Sequence, residues 1–69
     1  MEKRLCSLPC GHSGVITRMK KAPRLQTLGF AVGAMVHCKY KSSRIIVLEV
    51  GERLIALRIC QLRGVWADY

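Results

Sequence analysis

The sequence is short of acid. Four Asp and Glu stand against twelve Lys and Arg, leaving a formal charge of +8 on 69 residues. The one Asp, Asp68, lies near the tail, and no two carboxylates are paired at a spacing useful for acid–base work. Aromatic residues are scarce as well: Phe30, Tyr40, Trp66 and Tyr69 are all there are. A core must therefore come mostly from Val, Ile and Leu. Barrels that hold single-stranded nucleic acid interleave aromatics with basic side chains, whereas here only Tyr40 sits between lysines. No apolar run approaches the ~20 residues that cross a bilayer as a helix. Met1-Glu2-Lys3-Arg4-Leu5-Cys6 has basic residues without a hydrophobic stretch behind them, so it does not read as a secretory signal. Repeats and low-complexity tracts are absent. Gly29-x3-Gly33 lacks the Gly-Lys-Ser/Thr that makes a glycine loop hold nucleotide. No catalytic constellation survives, and the expectation is a protein that is not an enzyme.

What is present is one small domain. A hydrophobic fraction of 51% with 23% charged residues is a globular composition, and a chain this short has little stability to spare. The four cysteines, without an export signal, read as reduced thiols of a cytoplasmic protein.

The organising stretch is Arg24-Leu25-Gln26-Thr27-Leu28-Gly29-Phe30-Ala31-Val32-Gly33. Leu25 and Leu28 share one face of a helical turn. Pro23 suits the first helical position, and Gly29 suits the left-handed residue just past a helix end. Before it, residues 1–12 read as irregular, with Leu5 and Leu8 as an apolar anchor. Val15-Ile16-Thr17-Arg18-Met19 reads as a first strand with Ile16 inward.

After Gly33 the residues alternate. Val36, Cys38 and Tyr40 are assigned to the core, while Met35, His37 and Lys39 face out, His37 exposed and inert. Arg44 to Val50 is rich in β-branched residues. Gly51-Glu52 is a hairpin signal, and Arg53 to Arg58 is the returning strand. If Glu49 faces solvent, Ile46, Leu48 and Val50 point inward, as do Ile55 and Leu57; Ile45, Val47, Leu54 and Ala56 point outward. Cys60 to Arg63 reads as one helical turn and Val65 to Asp68 as a last strand. Cys38 and Cys60 are assigned to the core. The fold class is mostly β: a small barrel of about five antiparallel strands, with one short helix inserted between the first two.

Several motifs, taken in order, resemble the FeoA family. They are Leu5…Leu8-Pro9-Cys10-Gly11, then Ser13-Gly14-Val15-Ile16, then Arg24 to Gly33 as R-L-x-x-L-G-h-x-x-G (h apolar), and Gly51 to Arg58, similar to the family's G-x-x-I-A-L-R hairpin with one residue more before the isoleucine. Together they span about Leu5 to Ala67. The resemblance implies an SH3-like barrel that accompanies the ferrous iron transporter FeoB by binding its cytosolic, GTPase-bearing part. The same barrel occurs as the C-terminal domain of metal-dependent repressors, but no helix-turn-helix region is found in these residues. Two features depart from the family. Lys41-Ser42-Ser43-Arg44 replaces an insertion with a Gly-Asp-Pro or Gly-Gly-Pro turn, and Val32 stands where proline is usual.

A partner surface is expected on the outer side of the hairpin, with Leu54, Ile45, Val47 and Met35 in contact and Arg24, Lys20 and Lys21 as the electrostatic rim. Other readings of the charge are docking at an anionic membrane surface, which would place the protein at the inner membrane, and nucleic-acid binding by a small basic barrel. The apolar side also suits homo-oligomerisation. Cys6-x3-Cys10-x-His12 offers zinc ligand types. A closed site needs a fourth ligand, which Cys60 or His37 would have to supply through the fold, so the expectation is thiols in a turn and no cofactor.

Overall fold

The computed structural model describes residues 1–20 and 23–69. Six strands form one antiparallel sheet: β1 (Glu2–Arg4), β2 (Ser13–Met19), β3 (Met35–Lys41), β4 (Ile45–Val50), β5 (Arg53–Arg58) and β6 (Val65–Asp68). Their spatial order is β1-β6-β2-β3-β4-β5. The helix α1 (Pro23–Thr27) joins β2 to β3. Two 3-10 turns, Leu5–Ser7 and Ile59–Leu62, follow β1 and β5 and pack on each other.

Each strand of the central hairpin buries one side. Ile46, Leu48 and Val50 of β4 are buried, whereas Ile45, Val47 and Glu49 are more open. Leu57 of β5 is buried beside the half-buried Ile55. Leu5, Leu8, Ile16, Val36, Leu62, Val65 and Ala67 join this core, and Leu25 and Phe30 seal it from the α1 side. The stop after α1 is a glycine cap. Gly29 has φ +100°, Gly29 N–H donates to Gln26 O at 3.1 Å, and Phe30 N–H donates to Leu25 O at 3.1 Å. That turn drives Phe30 inward, where it is 1% exposed.

Several expectations need correction. The barrel has six strands, because Glu2–Arg4 pairs with β6 (Glu2↔Asp68, Lys3↔Ala67, Arg4↔Trp66). All three of its side chains are exposed, so no apolar period marks it. The helix accordingly falls between the second and third strands, and β2 begins at Ser13. Tyr40 is 57% exposed. The register passes from Cys38↔Leu48 to Tyr40↔Val47, so Lys39 is the extra residue of a bulge and the alternation inverts beyond it. Cys60 is exposed in the second 3-10 turn, where a strand's in-and-out rule no longer applies.

Candidate interaction surface

β5 ends the sheet on one side. Ile59 N–H donates to Arg44 O at 2.8 Å, and the pairing runs on through Ile46↔Leu57, Leu48↔Ile55 and Val50↔Arg53. Antiparallel pairs that exchange backbone bonds alternate with pairs that do not. Arg53, Ile55 and Leu57 therefore turn their backbone groups to β4, and Leu54 and Ala56 turn theirs outward. Leu54 is 65% exposed, and Ala56 is exposed as well. No proline interrupts this edge; Arg53 and Arg58 stand at its ends as the charges that commonly guard one. Such an edge can accept an added strand.

Three of the four expected contact residues lie on this hairpin. Leu54 is opposite Glu49, Ile45 opposite Arg58, and Val47 opposite Ala56. Val47 is only half-buried, between Ala56 and Tyr40. Met35 is exposed but sits on β3 against Val15 of β2. Of the expected rim, Arg24 is exposed on α1. Lys20 reaches over the ring of Trp66, 5.9 Å from its centroid. Lys21 lies outside the described residues.

The outward row across the sheet runs Ser13, His37, Glu49, Leu54. His37 is half-buried rather than exposed and inert: its Nδ1 lies 2.6 Å from Ser13 Oγ. Lys39 Nζ stands 3.9 Å from Glu49 Oε1. Sequence reasoning missed two members of this surface, Tyr40 and the outward backbone of β5. The first was hidden by the bulge. The second could have been found only from strand order.

The candidate metal ligands separate. Cys6 packs against the core. Cys10 is exposed, and its Sγ–H donates to Lys39 O at 3.3 Å. His12 is exposed in the loop whose backbone pairs with Cys38. Among the described residues no three His, Cys, Asp or Glu side chains stand where they could hold a metal ion. The four cysteines are free thiols. Burial pushes the Cys38 thiol above its ordinary value of 9.0, and the neighbouring Cys10 pushes the same way. No helix of the described residues is long and apolar enough to cross a membrane.

This architecture belongs to the class of small SH3-like barrels, mostly β, with an exposed edge strand. The FeoA domain model matches residues 3–68, and the chain belongs to that family. A crystal structure described as the iron uptake regulatory protein FeoA superposes with a TM-score of 0.89 at 18% identity, covering 97% of this chain and 96% of that one. A manganese-dependent transcriptional repressor superposes at TM-score 0.81 and 12% identity, over 96% of this chain but 40% of the repressor. At such identities the two structures speak for the fold. No curated protein sequence matches the chain.

Proposed function

We propose that this protein is a small accessory protein of ferrous iron uptake, acting at the cytoplasmic side of the membrane. It binds the cytosolic, GTPase-bearing part of the FeoB transporter and carries out no chemistry of its own. The observation that carries this reading is the β5 edge, with Leu54 and Ala56 presenting both apolar side chains and outward backbone groups. Membership of the FeoA family supports the choice of iron uptake as the setting.

Main-chain pairing at β5 supplies direction to the contact, and the pockets beside alternate side chains supply specificity. Ile45 and Val47 extend the apolar area along β4. The excess of positive charge steers the approach toward an acidic face.

The test is capture of the cytosolic domain of a ferrous iron transporter, with and without guanine nucleotide, by the wild-type protein and by Leu54→Asp. The wild type retains the domain and the variant, still folded, does not. Equal retention by both would remove β5 from the contact. No retention by either would end the reading.

A further inference from the structure

Three of the four acidic side chains are engaged by other groups, and none lines the groove at one end of the barrel. Glu2 accepts hydrogen bonds from Thr17 and Arg18, Glu49 faces Lys39, and Asp68 holds the N-terminal ammonium. Glu52 sits in the turn between β4 and β5. The opposite end of that hairpin is where Arg44 precedes β4 and Arg58 closes β5. There a shallow groove of about 720 Å³ is lined by Arg4, Arg44, Arg58 and Arg63. Its remaining walls are Cys6, Cys60, Ser43 and the aliphatic Ile45 and Ile59, with no carboxylate among them. A second groove of about 450 Å³ shares Arg4, Cys6 and Arg63 and adds Lys20 and Trp66.

None of the four guanidinium groups is in an ion pair among the described residues. They come from four separate places in the chain: the end of β1, the β3–β4 turn, the end of β5 and the residue after the second 3-10 turn. Side chains of one sign gathered in this way repel one another, and the nearest remedy in solution is an anion carrying more than one charge. All four are arginines, whose planar fork matches the oxygen pairs of a phosphate.

We propose that this groove binds a phosphate-bearing anion, with Arg4, Arg44, Arg58 and Arg63 donating guanidinium N–H groups to its oxygens. Lys20 adds charge from the adjoining groove. The phosphate is either that of a soluble anion or that of a lipid headgroup. The site lies at the far end of the hairpin from Leu54 but shares Ile45 and Arg58 with the edge surface. Its probes are pyrophosphate and vesicles, with no transporter domain present, so its failure and that of the transporter reading are read separately.

The experiment is nitrogen–proton NMR on the whole chain at fixed ionic strength, with pyrophosphate as the soluble probe. Saturable shifts are expected at Arg4, Arg44, Arg58 and Arg63, with little change at Arg24 and Arg53. The double variant Arg58→Gln/Arg63→Gln should weaken binding at least tenfold while its urea unfolding stays near wild type. Should that variant fold poorly, Arg44→Gln in the exposed turn serves, with a several-fold loss expected. A second arm measures co-sedimentation with phosphatidylcholine vesicles with and without phosphatidylglycerol. Saturation by pyrophosphate supports a soluble ligand. Retention only by the anionic vesicles, lost in the double variant, supports a headgroup. The proposal is overturned if neither binds, or if every basic residue shifts alike. Single-stranded oligonucleotide binding that is unaffected by the double variant, with no response to pyrophosphate or vesicles, would also overturn it and point to a nucleic-acid surface elsewhere.

Discussion

Phe30 N–H reaches back to the Leu25 carbonyl at 3.1 Å, and this bond places both side chains in the core, at 1% and 5% exposed. It forms only because Gly29, between them, takes φ +100°. A side chain there strains the backbone by about 1–3 kcal/mol. Gly29→Ala should lower stability by that amount, read as a lower urea midpoint with an unchanged slope. An unaltered midpoint would mean that the cap is dispensable.

Removing what the cap delivers should cost more. Phe30→Ala empties the largest fully buried side chain of the core and should destabilise by about 3–5 kcal/mol. For a domain this small, that is enough to leave much of it unfolded at 37 °C. Thermal melting followed by circular dichroism checks it.

Tyr40 and Cys60 make the opposite test. Both are exposed, so Tyr40→Ser and Cys60→Ser should each change stability by no more than about 0.5 kcal/mol. A loss of several kcal/mol at Tyr40 would restore it to the interior and remove the bulge at Lys39.

The thiols should divide by accessibility. Cys10 and Cys60 are exposed and should react with a thiol reagent at once, whereas Cys38 should react only as the protein opens. Its pKa is raised in the folded state above 9.0, so the folded protein holds the proton that the unfolded chain gives up. Stability from this source is complete below about pH 9 and falls as the pH climbs through the folded value. Tyr69, raised above 10.0 mainly by burial, acts in the same direction at higher pH. Urea titrations between pH 7 and 11 should show a decline that begins near pH 9 and is reduced in Cys38→Ala relative to that variant's own pH 7 value.

Where a segment obeys one period and carries its own stop signal, its sequence reads plainly. Ile46, Leu48 and Val50 declare the inner side of β4 by alternation, and Gly29 declares the end of α1. Glu2–Arg4 gives no such sign, since three exposed charged residues are held in place by backbone pairing with β6. The exchange of sides at Tyr40 depends on one extra residue opposite β4, which no local pattern records. The outward positions of Ile45 and Leu54 were legible for the same reason as the core. The arginine groove was not. In the sequence, positive charge stands out where it is closely spaced, at Arg18, Lys20, Lys21 and Arg24 and at Lys39, Lys41 and Arg44, whereas Arg4, Arg58 and Arg63 join Arg44 only through the curl of the sheet.

Glu2 stands opposite Asp68 in adjoining strands, and Tyr69 Oη–H donates to the Arg4 carbonyl at 2.9 Å. The first and last residues of this chain are thus neighbours in space. A short peptide could join them and the molecule could be reopened at the Gly51-Glu52 turn, reordering the connections while sparing the interior. Such a rearranged molecule would cut the covalent link between β4 and β5 and leave their hydrogen bonds to hold the hairpin together.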